Sequence, residues 1–224
     1  MDIVIPLRSG QNEELRYALR SWDAHLSFSK VWVIGGKPAW LANVNHIRTS
    51  QAGSKYKNTT TALKKACETD GVSEQFIYLN DDMFLMREFD NVPVYHRGLM
   101  SEFAKNRRLA GPYLRGAKNT LKLLTELGHH QPLSYEVHVP MVLDKTLMLK
   151  ALEIGKHVNP LHKRSLYGNL VGLGGQRIQD PKVATKSAFD RRRPIISTSD
   201  DSFKRGQVGV FIRQRFPEPS RFER

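Results

Sequence analysis

The pattern of apolar and polar positions in the first half of the chain predicts three short strands with a helix between each pair. Apolar, β-rich runs occupy residues 2–6, 30–35 and 75–79, and their length and composition are typical of buried strands. The first predicted helix is expected to begin after Asn12 as its N-cap. Apolar residues recur at helical spacing between the strands: Leu15, Leu19, Trp22 and Leu26, then Ala62, Leu63, Ala66 and Cys67. This βαβαβ order predicts an α/β fold with a mainly parallel sheet flanked by helices.

The second half of the chain is less regular and predicts mostly helices. Residues 102–127 predict one or two basic helices, and residues 142–155 predict a further one. Because there is no internal repeat and no clear linker, we expect residues 1–224 to form a single domain. Its second half, residues 101–224, would be helical and irregular and would share the core of residues 1–100 rather than fold independently.

An acidic turn follows the third predicted strand, where residues 75–84 have the sequence QFIYLNDDMF. Asp81 and Asp82 would lie at the carboxyl edge of the sheet, where open α/β sheets bind their ligands. Burying two like charges is costly unless a cation or hydrogen-bond donors compensate them. A divalent metal that holds a nucleotide diphosphate would compensate these charges. The loop after the first predicted strand adds Arg8 and Ser9, which suit the same ligand. A plain turn with two solvated aspartates explains the tripeptide Asn80-Asp81-Asp82 equally well.

The chain is strongly basic, with a net charge of +13 from 35 Lys and Arg against 22 Asp and Glu. Residues 182–224 hold 11 basic and 5 acidic side chains. Such an excess favours polyanionic partners, namely nucleotide phosphates, nucleic acid, anionic glycans or an anionic membrane surface. A solvated, solubilising surface is the alternative, so the charge alone selects no partner.

Several features indicate a cytoplasmic protein. No apolar run approaches the length of a membrane span, and residues 1–10 lack the basic flank and long apolar segment of a signal peptide. The single cysteine, Cys67, cannot form an intramolecular disulfide, which suits a reducing compartment. We therefore expect a bacterial or bacteriophage-encoded cytoplasmic protein in which Cys67 is part of the core.

Five short segments, taken together, resemble the Stealth family. They are residues 12–21 (NEELRYALRS), 37–41 (KPAWL), 76–84 (FIYLNDDMF), 138–140 (HVP) and 216–223 (FPEPSRFE). They occur in the order of the family and span nearly the whole chain. The family includes bacterial capsular-polysaccharide hexose-1-phosphate transferases and the α/β precursor of the lysosomal-enzyme GlcNAc-1-phosphotransferase. The chain departs from the family pattern at residues 5–8 and 57–59, and Ser199 stands where the fourth block usually has Asn.

The resemblance implies a GT-A-like (Rossmann-like) fold and transfer of a hexose-1-phosphate from a nucleotide sugar to an acceptor hydroxyl of a glycan, protein or nucleic acid. Residues 1–100 would bind the nucleotide sugar, and residues 101–224 would bind the acceptor and complete the active site. Asn80 would orient the aspartates, His138 would deprotonate the acceptor, and Arg164 would contact a phosphate. The implied site comprises Asp81 and Asp82 for a divalent metal (Mg²⁺ or Mn²⁺), His138, Asp82 and Arg164 for catalysis, and Arg8, Ser9, Arg16, Asn58, Asn80 and Asp200 for substrate binding.

Other interpretations stay open. A conventional glycosyltransferase of GT-A-like fold would use the same carboxylates and metal but would release a nucleoside diphosphate instead of a monophosphate. A nucleic-acid-binding or nucleic-acid-modifying protein would account for the charge, although the sequence has no zinc-finger spacing, helix-turn-helix signature or aromatic RNP motif. Among single residues, His138 could be a hydrogen-bonded structural histidine, and Arg16 could pair with Glu13 or Asp23.

Overall fold

The computed structural model describes residues 1–106, 109–185 and 187–224. The strands in these ranges are β1 (Asp2–Leu7), β2 (Val31–Gly35), β3 (Asn45–Ile47), β4 (Gln75–Tyr78), β5 (Met83–Leu85), β6 (Tyr95–His96), β7 (Met141–Asp144), β8 (Gln176–Arg177), β9 (Lys182–Val183) and β10 (Ile195–Thr198). The helices are α1 (Glu13–His25), α2 (Lys55–Cys67), α3 (Met100–Ala104), α4 (Gly111–Glu126), α5 (Lys145–Ile154), α6 (Lys163–Leu170), α7 (Asp200–Arg205) and α8 (Gln207–Arg215). None of the helices in the described ranges is both long and apolar enough to cross a membrane. Arg107 and Arg108 of the predicted helical stretch, and Lys186 of the basic C-terminal region, lie outside the described residues.

A five-stranded sheet with the order β3-β2-β1-β4-β7 forms the centre of the fold. Its first four strands are parallel, and β7 runs antiparallel to β4. Ile3 of the central strand β1 lies opposite Val31 of β2 on one side and Ile77 of β4 on the other. The three predicted strands are therefore neighbours, and the expected mainly parallel sheet flanked by helices is confirmed.

The side chains of β1 alternate between two apolar layers, because successive residues of a strand point to opposite faces of the sheet. Ile3 and Ile5 pack in the layer that contains α1, whereas Val4 packs in the layer that contains α2. Both predicted helical stripes are buried: Leu15, Leu19 and Trp22 of α1, and Ala62, Leu63, Ala66 and Cys67 of α2. Since helices cover both faces, a ligand reaches this sheet at the ends of its strands.

Helix α1 begins after Asn12 at the N-cap position, as predicted, but the Asn12 side chain does not cap it. Asn12 has a left-handed backbone (φ 47°), and its side chain makes no capping hydrogen bond. Its amide donates instead to the carbonyl oxygens of Arg8 (2.9 Å) and Gly10 (3.3 Å). Asn is one of the few non-glycine residues that tolerate this backbone region. The bonds fold the loop after β1 back against the helix, which fixes the backbone from which the Arg8 side chain extends.

The helix predicted over residues 142–155 is wrong at its beginning, because Met141–Asp144 form strand β7 and α5 starts only at Lys145. Leu143 pairs with Phe76 across the sheet. The chain then turns into the helix, since the Asp144 side chain accepts a hydrogen bond from the backbone N–H of Leu147 at 3.0 Å. A short apolar run that leads directly into a helix cannot be told from the helix by periodicity.

Two smaller sheets, with the orders β5-β10-β9 and β6-β8, join distant parts of the chain. Strand β5 follows the acidic turn directly and pairs antiparallel with β10, which pairs parallel with β9. The backbone N–H of Thr198 donates to the carbonyl oxygen of Asp82 at 3.1 Å. These pairings bring residues 180–183 and 198–200 beside the acidic turn.

Candidate active site

A cleft of about 850 Å³ lies where β1 and β4 end. Because parallel strands end at the same edge of a sheet, the loops after these two strands face each other across it. The cleft is lined by seven of the residues predicted to bind metal or substrate: Arg8, Ser9, Asn58, Asn80, Asp81, Asp82 and Asp200. It is also lined by Glu14, Lys55 and Lys182, which were not predicted.

Asp82 has one carboxylate oxygen paired and the other without a partner. Its Oδ2 accepts a hydrogen bond from the ammonium group of Lys182 at 2.7 Å. Its Oδ1 is buried and has no hydrogen-bond partner among the described residues. A buried carboxylate oxygen that makes no hydrogen bond is costly, so a cation bound to this atom would stabilise the cleft.

Asp81 adds a second carboxylate to the same edge. Burial and the neighbouring charge of Asp82 raise the pKa of Asp81, although the charge of Arg8 opposes the shift. Within the described residues, no group of three or more His, Cys, Asp or Glu side chains is arranged to hold a metal ion. Two adjacent carboxylates nevertheless fit Mg²⁺ or Mn²⁺, because such ions are commonly bound by one or two carboxylates with water and substrate phosphates as the other ligands.

Glu14 is a cleft residue that the sequence interpretation missed. It is only 6% exposed, and its Oε1 accepts a hydrogen bond from the Thr198 hydroxyl at 2.6 Å. Burial raises the pKa of Glu14, and the carboxylates of Asp200 and Asp81 raise it further. The available signal was its spacing: Glu14 falls one turn before Ala18 on the buried side of α1, where a solvated first-turn glutamate would not lie.

Two predicted substrate residues of the cleft already have protein partners. The Arg8 guanidinium forms an ion pair with Asp200, and this contact raises the pKa of Arg8 and lowers that of Asp200. The Asn58 amide group donates to the carbonyl oxygens of Gln51 (3.1 Å) and Gly53 (2.9 Å). Asn58 therefore fastens the loop before α2. The Arg8–Asp200 pair is exposed, so breaking it to contact a ligand would cost little.

A second, smaller pocket of about 130 Å³ adjoins the cleft and shares Thr59 and Asn80 with it. The sheet explains why, because β7 runs antiparallel to β4 and pairs Met141 with Tyr78. The residues just before β7 therefore lie beside the residues just after β4. In this way the topology brings His138 close to Asn80, from the two halves of the chain.

His138 lines the smaller pocket together with Lys163. Its ring nitrogen Nδ1 lies 3.0 Å from Oδ1 and 3.1 Å from Oδ2 of Asp180. The ammonium group of Lys163 donates to the Thr59 hydroxyl at 3.1 Å. The pocket thus combines an imidazole held from one side with a cation at its boundary to the larger cleft.

Arg164 lies beside His138 but points its donors into the protein. Its guanidinium donates to the carbonyl oxygens of Val137 (2.9 Å) and Val139 (2.5 Å), the two neighbours of His138. Arg164 is 7% exposed, and burial lowers its pKa. The Arg164 donors therefore hold the backbone on either side of His138, and the expected phosphate contact stays a prediction.

Arg16 is the predicted substrate residue that the structure does not bring into the cleft. Its guanidinium donates to Glu223 at 2.6 Å and stacks over the Trp40 ring, 4.3 Å from its centroid. The pairing partner is thus neither Glu13 nor Asp23. Residues of the segments 37–41 and 216–223 thus contact helix α1, so these two motifs have a structural role here.

Comparison with known proteins finds similar solved structures and a similar curated protein. No family model matches the chain. Similar solved structures include the galactosyltransferase LgtC in complex with donor and acceptor sugar analogues, with a TM-score of 0.46, 13% identity, and coverage of 76% of this chain and 70% of that chain. Another is the glycosyltransferase GlyE of Streptococcus pneumoniae TIGR4, with a TM-score of 0.49, 11% identity, and coverage of 96% of this chain and 60% of that chain.

A curated relative carries more sequence similarity. The chain is 28% identical to an exopolysaccharide phosphotransferase of Nocardia farcinica (strain IFM 10152), over 63% of this chain and 32% of that protein. The match thus spans about a third of the length of this relative. The similarity to a protein of that name supports the resemblance of the five motifs to the Stealth family.

Proposed function

We propose that the chain transfers a hexose-1-phosphate from a nucleotide sugar to an acceptor hydroxyl with the help of a divalent metal. The acceptor oxygen attacks the sugar-proximal phosphorus, and a new P–O bond forms. The bond from this phosphorus to the bridging oxygen breaks, and a nucleoside monophosphate leaves. The hydroxyl proton passes to Nε2 of His138.

The observation that carries the proposal is the contact between the two pockets at Asn80 and Thr59. The larger pocket offers carboxylates and cations to a diphosphate, and the smaller offers an imidazole to a hydroxyl. Phosphoryl transfer depends mainly on positioning and charge neutralisation. A donor in one pocket and an acceptor in the other would meet at the ends of β4 and β7.

The donor would be bound by the residues that line the larger pocket. Arg8, Lys55 and Lys182 supply positive charge for the phosphates, and Ser9 and Asn80 supply polar groups. Asp81 and Asp82 would hold Mg²⁺ or Mn²⁺, with donor phosphate oxygens among its ligands. Such an ion, when bound, neutralises the charge of the phosphate groups.

Residues 1–224 would act as one catalytic unit, because strand β7 of the second half completes the central sheet formed by the first half. We place it in a reducing, cytoplasmic compartment of a bacterial or bacteriophage-infected cell, which suits its single buried thiol. The basic region 182–224 would contact a polyanionic acceptor. Part of its charge is already neutralised within the protein, in ion pairs such as Arg192–Asp190 and Arg205–Asp201.

The bond that breaks tests the proposal. We would incubate the chain with Mg²⁺ or Mn²⁺, a panel of nucleotide-activated hexoses and simple methyl glycosides in ¹⁸O-labelled water, and identify the nucleotide released. Release of nucleoside monophosphate, with the slow water reaction placing ¹⁸O on the sugar-1-phosphate, supports the proposal. Release of nucleoside diphosphate, with ¹⁸O on the anomeric carbon, would show glycosyl transfer instead. The His138→Ala variant, prepared in parallel, excludes a contaminating pyrophosphatase if its monophosphate release is lost.

A further inference from the structure

Asp180 is a partly buried carboxylate with no role in the function proposed above, and it faces His138 in the smaller pocket. Both of its oxygens lie within 3.1 Å of His138 Nδ1. When Nδ1 carries the proton and donates to Asp180, Nε2 is the nitrogen with a free lone pair. No hydrogen bond to Nε2 is formed within the described ranges, so this nitrogen is available to a ligand.

The Asp180 carboxylate is itself fixed from several directions. It accepts hydrogen bonds from the backbone N–H groups of His138 and Lys182, each at 3.3 Å, and Arg97 forms an ion pair with it at 3.2 Å. Burial would raise the pKa of Asp180, but the hydrogen bond and charge of His138 and the charge of Arg97 lower it to about 2. The carboxylate is therefore ionised at neutral pH and cannot rotate away without losing several donors.

The position of Asp180 also couples the two pockets. Asp180 lies two residues before Lys182, whose ammonium group donates to Asp82 in the larger cleft. The intervening residue, Pro181, accepts a hydrogen bond from the backbone N–H of Ser197 in β10 at 3.2 Å. One short segment, residues 180–182, thus contacts the imidazole in one pocket and the carboxylate in the other.

We propose that Asp180 is a positioning residue that holds His138 in the Nδ1–H tautomer, so that Nε2 faces the acceptor hydroxyl as the general base. This inference rests on the proposed function. As the acceptor oxygen forms its bond to phosphorus, its proton moves to Nε2 and the imidazole becomes imidazolium. The Asp180 carboxylate stabilises that positive charge without accepting the proton. At the same time the bond from phosphorus to the bridging oxygen breaks, and its electron pair leaves on the oxygen of the nucleoside monophosphate.

Other charged groups around the imidazole do not take over this role. Glu136 faces the same pocket, but its carboxylate is bound by the backbone N–H and hydroxyl of Ser165, both at 3.2 Å. Lys163 and Arg164 carry positive charge, which disfavours imidazolium. Asp180 is the described carboxylate in hydrogen-bond contact with His138, and an orienting carboxylate of this kind is a common companion of a histidine base.

The test is a comparison of Asp180→Asn with Asp70→Asn. Asp70 is an exposed aspartate in the turn after α2, and its variant should match the wild-type rate. Asp180→Asn should lower the rate of nucleoside monophosphate release by a factor on the order of 10²–10⁴. Asp180→Glu, which retains a carboxylate, should recover part of the rate. This variant tests the role of the carboxylate if Asp180→Asn folds poorly.

A double-mutant comparison separates positioning from a structural role. If Asp180 acts through His138, Asp180→Asn should have no further effect in a His138→Ala background. Additive losses, or a wild-type rate in Asp180→Asn, would overturn the inference.

The tautomer is measured without turnover, by ¹⁵N NMR of the full chain with His138 assigned from His138→Gln. The wild type should show Nδ1 protonated, and Asp180→Asn should lose that preference. A wild-type ring protonated at Nε2 would also overturn the inference. If no donor is turned over by the wild type, the proposed function fails, while the NMR result still decides how Asp180 holds the ring.

Discussion

Arg20 and Glu223 form a two-pronged ion pair that joins the first helix to the end of the chain. The Arg20 guanidinium donates to both Glu223 oxygens, at 2.7 and 2.8 Å. The two side chains are 8% and 3% exposed. Arg20 also donates to the carbonyl oxygens of Phe216 (2.9 Å) and Pro217 (2.7 Å). The motifs at residues 12–21 and 216–223 therefore stabilise each other.

We predict that Glu223→Gln lowers the free energy of unfolding by about 3 kcal/mol, the usual size of the effect when one partner of a buried ion pair is removed. The neutral amide leaves the charge of Arg20 buried and uncompensated. Urea unfolding at pH 7 measures the difference. Glu218→Gln is the matched control, because Glu218 lies in the same segment but is exposed; equal losses in both variants would contradict the assignment.

The stabilisation by Glu223 should disappear in acid. Burial alone would raise its pKa, but hydrogen bonds from Arg20, Ser220 and Arg16 lower it from the ordinary 4.5 to about 2. Because the pKa of Glu223 is lower in the folded than in the unfolded protein, its ionised form stabilises the folded protein fully above pH 4.5. This contribution is lost as the pH falls from about 4.5 to about 2. The gap in unfolding free energy between wild type and Glu223→Gln should therefore narrow progressively below pH 4.5. A gap that is constant from pH 6 to pH 3 would refute this account.

Three neighbouring strands of the central sheet, β2, β1 and β4, were predictable because each leaves a local signal. The runs at residues 2–6, 30–35 and 75–79 are apolar over a whole strand, and the helices between them bury regular stripes such as Leu15, Leu19 and Trp22. Strand β7 left no such signal, because its four residues continue into α5. Local pattern therefore specifies β1, β2 and β4. It does not specify the two edge strands, β3 and β7, which were not predicted.

The residues of the candidate site that directly follow a strand were predictable from the sequence. Those whose role depends on where the side chain points were not. Asp81 and Asp82 follow directly from their place after β4. Arg16, Arg164 and Glu14 do not, because each could point to solvent, a ligand or the core from the same position in the sequence. Their hydrogen-bond partners lie 23 to 207 residues away, and no local pattern encodes those contacts.

Asp82→Asn should abolish metal-dependent turnover and leave folding nearly intact. The amide keeps the size of the side chain but removes the charge that a metal requires, and it also relieves the repulsion of Asp81. We expect a rate loss on the order of 10³-fold or more with a melting temperature close to that of the wild type. Donor binding in the presence of Mn²⁺, followed by calorimetry, should be lost in parallel. Asp90→Asn is the control, because Asp90 is an exposed aspartate of the same region. Substantial turnover by Asp82→Asn at any metal concentration would contradict the assignment of Asp82 as a metal ligand.

Lys182→Met should strengthen metal binding by the chain alone. The Lys182 ammonium donates to Asp82 Oδ2, so a divalent ion must compete with it for that carboxylate. Removing the charge while keeping an unbranched side chain should tighten Mn²⁺ binding by a factor on the order of 3–10, which corresponds to about 1 kcal/mol of removed competition. Electron paramagnetic resonance of free Mn²⁺ measures the affinity without donor. Lys118→Met on the exposed side of α4 should bind as the wild type does, and weaker binding by Lys182→Met would show that the lysine does not compete.

Arg164→Lys should damage the rate nearly as much as Arg164→Ala. The guanidinium reaches two carbonyl oxygens, those of Val137 and Val139 on either side of His138, and a single ammonium cannot reproduce that geometry. If Arg164 holds His138 in place, kcat should fall while KM for the donor stays unchanged, and the unfolding free energy should drop by about 1–3 kcal/mol because a buried carbonyl loses its donor. A donor KM that rises with kcat unchanged would instead indicate the phosphate contact expected from the sequence. Arg177→Lys is the matched control, since Arg177 is an exposed arginine paired with Glu102, and it should leave kcat, KM and stability as they are.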